Sequence, residues 1–524
     1  MSTTRNWSPQ QQTFLDWCEN GTGSCVLEAV AGAGKTTVLI EGGQRIIGQV
    51  AYCAYNKDVS EETKLKLKQL GIDWKKMQAG TVHSFGFAGV RKLSPQVKVE
   101  NYKVANIIAN HIGPLQQYAR PRDPALWIWR SEIADLVSLA KQQALGIEGG
   151  RPVEDVSVWM EIADHYDVFG GNFGSERPPV NLNNAVALAQ MVLAESNSNT
   201  DLIDYDDMVY LPLVHRVPLW RFDVVMVDEA QDTNPARRAL IRAMVKQGGR
   251  VIAVGDRHQA IYGFTGADAQ ALELIKQDFD AIELPLTVSF RCPQAVVAFA
   301  RQWVDHIEAA PEAPMGSVSA TSYEEFITRT DLKAGSAELC RVNAPLVSLA
   351  FALIRRGIPC RIEGRQIGNG LKKLLTRWKL NSLDAYERKL DKYEAEQTTR
   401  LLAAKKEVQL QNLLDQIETV RVIIDQCRQD GKHDLASIVA HVDAMFGDKV
   451  TGMLVLSSIH KAKGREWNKV FWLDRQGTCP SKWARQQWQQ QQEKNLMYVA
   501  ATRAKSELID VSAPLETLAK RAAA

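Results

Sequence analysis

The chain has 524 residues, more than one hydrophobic core ordinarily supports, so two or more domains or large insertions are expected and a single small domain is excluded. Hydrophobic residues make up 45% and charged residues 24%, the balance of a globular protein, and no apolar run reaches the length that crosses a bilayer, so no membrane partner is expected. A formal net charge of +2 gives no global pull toward a polyanion, and any nucleic acid must be held by a local groove.

The first residues, MSTTRNWSPQQQ, have no apolar stretch after a basic start, which predicts an intracellular location. The eight cysteines contain no CxxC pair and read as buried small hydrophobes, not as a zinc site or a disulfide framework.

Residues 24–43, SCVLEAVAGAGKTTVLIEGG, pass from a strand-like apolar stretch through a small-residue loop into a helical pattern, the order a phosphate loop requires. Ala29, Ala31, Gly32, Ala33 and Gly34 would let backbone N–H groups close around phosphate oxygens at the start of a helix that carries Lys35, Thr36 and Thr37. Lys35 would reach the β and γ phosphates and Thr36 would ligate Mg²⁺. Against the GxxxxGK[ST] template the first glycine is replaced by Ala29, and a glycine-rich turn without function is the competing reading.

Residues 88–200 read as mostly helical, carry Trp127, Trp129 and Trp159, and break at FGGNFGSERPP, residues 169–179. FDVVMVDEAQD, residues 222–232, is a continuous β-branched run, the pattern of a parallel strand covered on both faces, ending where ligands bind in such sheets. Asp228 would then hold Mg²⁺ and Glu229 would orient an attacking water. The alternative is that Asp228, Glu229 and Asp232 simply open a helix, whose first turn favours acids.

Further short strands are expected at RVIAVGD, AELCRV, GMLVLSS and KVFWLD, alternating with helices as a parallel α/β sheet requires. Residues 371–430 are almost free of Gly and Pro, and Leu410, Leu413, Leu414, Ile417, Val420, Ile423, Ile424 and Cys427 follow helical spacing, which predicts a long helical hairpin. Its mixed charges suit a solvated coiled arm.

DEAQDTN at residues 228–234 resembles the hydrolysis motif of UvrD/Rep/PcrA-type superfamily 1A DNA helicases. The resemblance is carried further by WSPQQ near residue 7, AYNKDVSEE at 54, GTVHSF at 80, VGDRHQAIYGFTGA at 254, LTVSFRCP at 286, LSSIHKAKGREW at 456 and NLMYVAATRAK at 495, in the family's order. IDYDDM at 203, LCRVNAPL at 339 and GIPCRIEG at 357 extend it. YNK with HKAKG is similar to the F-box helicase branch, without an F-box-like extension.

The resemblance implies an α/β fold of two RecA-like P-loop motor domains with parallel sheets, each carrying a mainly helical insertion. The first motor domain would comprise residues 1–87 and 201–284 with an insertion at 88–200. The second would comprise 285–367 and 450–524 with a short insertion at 368–449. It implies an ATP hydrolase using ATP and Mg²⁺ that moves 3′ to 5′ on single-stranded DNA and opens duplexes with a 3′ overhang. The expected state is a monomer, with protein partners at the 368–449 arm.

At matching positions the resemblance implies that Gln11 contacts adenine, Phe290 stacks on it, Glu466 contacts ribose, Gln259 senses the γ-phosphate, and Arg291 and Arg503 project onto that phosphate. It implies a DNA track of Tyr55, Asn56, His83, Phe85, Tyr262, Phe264 and His460. Phe85 and Tyr262 are equally legible as packing residues, whereas Phe264, next to Gly263, reads as exposed. Gln231 would couple nucleotide to DNA, and Asp232 would support it or cap a helix.

Three departures stand out. CAYNK replaces the usual TFTNK, moving the aromatic from position 54 to Tyr55, Thr265 replaces an arginine before GA, and QEKNL replaces EExRL, with Asn495 at the arginine position. Two further functions stay open: a DNA-stimulated ATPase serving as a clamp or recruitment factor, and a superfamily 1 motor directed at RNA.

Overall fold

Strands β1 (Cys25–Ala29) and β2 (Val50–Ala54) are buried along nearly their whole length, as their mainly apolar sequences, interrupted in β1 only by Glu28, require of a parallel sheet covered on both faces. The computed structural model describes residues 6–113, 122–166, 168–169, 180–263, 270–332, 335–447 and 453–518, apart from 357, 359, 364, 379, 381, 404–406, 432, 485 and 516. The chain divides into two units, essentially residues 1–286 and 287–524.

In the first unit β1 and β2 are followed by β3 (Met77–Thr81), β4 (Lys98–Val99), β5 (Leu202–Ile203), β6 (Phe222–Val227), β7 (Val245–Gly255) and β8 (Ile282–Leu286). Six of them form a sheet of order β3-β2-β6-β7-β1-β8 in which every pairing is parallel, while β4 and β5 make a separate short ladder. Because all six run the same way, the loops after β1, β2, β6 and β7 meet at one edge.

Among the described residues five helices lie between β4 and β5: Lys103–Ile112, Pro124–Ile128, Arg130–Gln142, Val156–His165 and Leu182–Ser198. Their Ile133, Leu136, Trp159 and Val186 share one core with Val225 and Val251 of the sheet. Trp159 is fully buried and donates its indole N–H to the Val153 carbonyl at 2.7 Å. Most of the 169–179 loop lies outside the described residues. The helices are tied to the IDYDDM segment by buried ion pairs: Lys103 Nζ lies 2.7 Å from Asp207, and Lys141 Nζ lies 2.7 Å from Asp207 and 2.6 Å from Asp204.

The second unit holds β9 (Val288–Ser289) and β10 (Glu308–Ala309), a two-stranded ladder, and then a seven-stranded parallel sheet. Its strands are β11 (Ser317–Thr321), β12 (Ser336–Cys340), β13 (Cys360–Glu363), β14 (Phe446–Gly447), β15 (Leu454–Ser458), β16 (Trp467–Leu473) and β17 (Ala504–Val511), in the order β11-β17-β16-β12-β15-β13-β14. The α/β class with parallel sheets is therefore as the sequence predicts.

Between β13 and β14 run helices Arg365–Leu375, Leu383–Ala403, Glu407–Gln429 and Leu435–Met445. They are not a solvated coiled arm. Tyr386, Leu390, Ile417, Val420 and Ile424 belong to the same buried cluster as Leu456 and Phe471 of the sheet, because the apolar stripe of Glu407–Gln429 packs toward the unit's own core. Arg421 pairs with Asp391 and Glu394, and Arg428 with Glu387, tying the two long helices by their charged sides.

All eight cysteines are unpaired, seven buried and Cys360 half-buried. Among the described residues no helix is long and apolar enough to cross a membrane.

Candidate nucleotide and nucleic-acid site

The loop after β1 turns on two left-handed glycines, Gly32 at φ 76° and Gly34 at φ 80°. Ala29 lies outside that turn, as the last, fully buried residue of β1, so the missing first glycine does not disturb it. Ala31 and Ala33 are buried. Gly34 is the N-cap of the helix Lys35–Arg45, whose first turn carries Lys35, Thr36 and Thr37. Gln11 closes a capping box with Ser8, and a Cβ on Gly34 would stand 3.1 Å from its Nε2, so this amide lies against the loop.

At the end of β6, Asp228 is buried. Its Oδ2 accepts hydrogen bonds from Thr36 Oγ1 at 3.2 Å and from the Tyr52 hydroxyl at 2.6 Å, and its Oδ1 accepts from the Glu229 N–H at 3.0 Å. Burial, then the Glu229 charge, pushes its pKa up. Glu229 itself sits in the left-handed region at φ 52° and ψ 44°, a strained position for a non-glycine residue that turns the chain sharply after the strand. Its carboxylate lies 3.5 Å from Lys35 Nζ.

From Glu229 the contacts continue sideways. Gln231 Nε2 donates to Glu229 Oε2. Gln231 Oε1 accepts from the Asp256 N–H at 3.1 Å, and Asp256 Oδ2 accepts from Gln259 Nε2 at 2.7 Å. Lys35, Glu229, Gln231, Asp256 and Gln259 thus form one line along the sheet edge. Asp232 is buried in the single 3₁₀ turn Ala230–Asp232 and does not cap the next helix. That task falls to Asn234, whose side chain accepts from the Arg237 N–H, so the helix-cap alternative for Asp232 is withdrawn.

Tyr55 and Tyr262 stack face to face with centroids 5.7 Å apart and planes 15° from parallel. The aromatic displaced from position 54 thereby meets the tyrosine after Gln259. Asn56 caps the helix Lys57–Gln69 by accepting from the Val59 N–H at 2.9 Å. His83, in the first turn of Val82–Leu93, lines a cleft with Tyr55, Asp228, Glu229, Asp232 and Arg237. Burial, then the Arg237 charge, lowers its pKa to about 4, leaving it neutral at physiological pH. Phe85 packs edge-on against Phe222 at 5.8 Å and lies against the core. Phe264, with Thr265 and Gly266, lies outside the described residues.

In the second unit Arg291 Nε donates to Glu466 Oε2 at 2.6 Å, and Lys505 Nζ lies 3.6 Å from the other oxygen. Burial would raise the Glu466 pKa, but Arg291 and Lys505 outweigh it and hold it down. Phe290 is half exposed. Arg503 is buried and donates to the Val499 carbonyl at 2.9 Å and the Arg465 carbonyl at 3.1 Å. His460 is the second residue of the short helix Ile459–Ala462, and burial, then Arg341 and Lys463, lowers its pKa to about 3.

Sequence reasoning missed three contributors. Tyr52 is hidden inside an apolar strand, though a buried phenol always needs a partner. Asp256 stands in VGDRHQ beside the glutamine it holds. Glu493, in QEKNL, accepts from Arg341 at 2.8 and 3.1 Å and from the Ser481 N–H at 2.8 Å, so the altered motif keeps a buried ion pair despite Asn495.

Thr36 and Asp228 offer hard oxygen donors in contact with each other, which fits Mg²⁺, an ion that takes one or two protein oxygens and fills its remaining positions with water and phosphate. Among the described residues no cluster of three or more His, Cys, Asp or Glu forms an all-protein metal cage.

Residues 7–280 match the UvrD/REP helicase N-terminal domain, and residues 362–513 match the UvrD-like helicase C-terminal domain. The chain is 24% identical over 340 residues to the ATP-dependent DNA helicase PcrA of Staphylococcus epidermidis, covering 59% of this chain and 42% of that protein. It is 25% identical over 308 residues to a probable DNA helicase of Mycoplasma pneumoniae, covering 56% and 54%. It is 29% identical over 202 residues to the ATP-dependent DNA helicase UvrD1 of Mycobacterium tuberculosis, covering 31% and 26%. The chain thus spans about half or less of the length of these curated relatives.

Proposed function

The chain belongs to the UvrD/REP helicase family, and from that premise we propose that it is an ATP-dependent DNA helicase and translocase moving 3′ to 5′ on single-stranded DNA. The observation that carries this reading is the line from Lys35 and Glu229 through Gln231 and Asp256 to Gln259, three residues from the Tyr55–Tyr262 stack. It joins a phosphate-reading end to an aromatic end in one rigid edge.

Within this reading Lys35 and the N–H groups of residues 31–37 bind the phosphates of ATP, Gln11 reads adenine, and Phe290 and Glu466 contact base and ribose. Thr36 and Asp228 would hold Mg²⁺, which neutralises phosphate charge when bound. Glu229 orients the attacking water and accepts its proton. Arg291 and Arg503 stabilise the charge that develops on the γ-phosphate, a contribution on the order of 10³ to 10⁵ in rate for such arginines. Tyr55 and Tyr262 offer a sequence-tolerant stacking surface to bases, with Asn56, His83 and His460 along the strand.

We assign residues 1–87 and 201–284 to the first motor domain with its insertion at 88–200, and 285–367 and 450–524 to the second with its insertion at 368–449. Single-stranded DNA and duplexes with 3′ overhangs are the substrates, and the working form is a monomer.

Lys35→Ala or Glu229→Gln should abolish DNA-stimulated ATP hydrolysis while leaving the circular dichroism spectrum unchanged. Unwinding of a duplex with a 3′ tail but not one with a 5′ tail is the expected polarity. ATP hydrolysis by the wild type that ignores single-stranded DNA would refute the motor reading.

A further inference from the structure

Tyr52 has no task in the mechanism above, yet it is fully buried in β2 with its hydroxyl 2.6 Å from Asp228 Oδ2. In the strand VAYCA an apolar side chain would satisfy the packing, so the hydroxyl adds something packing does not need. What it adds is a charge-assisted hydrogen bond to the carboxylate. The same oxygen accepts the Thr36 hydroxyl at 3.2 Å, and Oδ1 is fixed by the Glu229 N–H at 3.0 Å. Three donors from three elements therefore set the rotamer of Asp228.

We infer that Tyr52 is a positioning residue for the nucleotide-bound metal: its hydroxyl holds Asp228 in the pose in which that carboxylate and Thr36 together receive Mg²⁺. The inference rests on the reading of this edge as a Mg–ATP site. Partners that orient metal-side ligands in this way typically account for about 10- to 100-fold in metal affinity.

Tyr52→Phe keeps the ring and removes only the hydroxyl. Binding of Mn²⁺ to the full-length protein–ADP complex, followed by electron paramagnetic resonance, should weaken by about 10- to 100-fold in Tyr52→Phe. Binding of ADP in the presence of a chelator should stay unchanged in Tyr52→Phe, since the phosphate loop is intact. Mn²⁺ affinity of Tyr52→Phe within twofold of wild type would overturn the inference. So would an equal loss of metal-free ADP binding, which would mean that the phenol supports the loop and not the metal. Wild-type protein that binds ADP without regard to Mn²⁺ would instead refute the Mg–ATP reading itself, which separates the two failures.

Discussion

Tyr52, Tyr55 and Tyr262 each occupy a place the sequence marks only in part. Tyr55 was legible as a displaced aromatic, and Tyr262 as either a packing or a stacking residue; the structure stacks the two on each other with centroids 5.7 Å apart. Both phenols are pushed to high pKa by burial and then by the Asp232 charge, so they stay neutral donors at any physiological pH. Tyr262→Ala should weaken binding of oligo(dT) by roughly 1–3 kcal/mol in fluorescence anisotropy, with Tyr262→Phe close to wild type. An alanine variant that binds as tightly as wild type would assign this stack to packing alone. Phe85 makes the opposite point: its sequence neighbourhood suited either role, and only its edge-on contact with Phe222 shows where the ring is spent. Lys35, Thr36, Asp228 and Glu229 were readable because phosphate chemistry fixes their spacing. Tyr52 was not, because nothing in VAYCA records that a carboxylate from β6 arrives opposite it.

At the scale of elements, strands were the legible part, since parallel sheets demand runs of buried β-branched residues that stand out in any window. What such a window conceals is a polar residue inside the run. Glu338 lies mid-strand in β12, in register with Leu456 and Phe471, fully buried, and neither of its carboxylate oxygens has a hydrogen-bond partner among the described residues. Burial pushes its pKa well above the ordinary 4.5. The sign follows from that direction. Folded and unfolded chains both hold the proton below the unfolded value, so this group costs least in acid, and the folded state loses stability as pH rises from about 4.5 toward the raised folded value. Glu338→Gln cannot ionise, so in urea denaturation it should gain on the wild type as pH goes from 5 to 8. Glu338→Leu should be more stable than wild type at pH 8 by about 1–3 kcal/mol. A wild-type-minus-Gln difference that stays flat with pH would mean the carboxyl finds water or a partner. The altered QEKNL helix shows the same limit from the other side: the loss of an arginine at Asn495 is visible in sequence, while the pairing of Glu493 with Arg341, far along the chain, is not.

At the scale of the whole molecule, the helices between β13 and β14 belong to the second unit's core and are not an appendage. Ile424, in the stripe that periodicity revealed, lies in one cluster with Phe471 of the sheet, so the stripe was legible but its destination was not. Ile424→Ala should cost about 2–5 kcal/mol and should loosen β15 and β16 as well as the helices, as read by amide hydrogen exchange. Exchange confined to the helices would show that the two parts melt separately. The strand order carries a consequence for how the protein is made. β12 ends at Cys340, yet its neighbour on one side, β15, begins at Leu454, and its neighbour on the other, β16, begins at Trp467. Synthesis must therefore run on past Trp467 before both neighbours of β12 exist, while every strand of the first sheet is present by Leu286. Until then both edges of β12 stay open to mispairing.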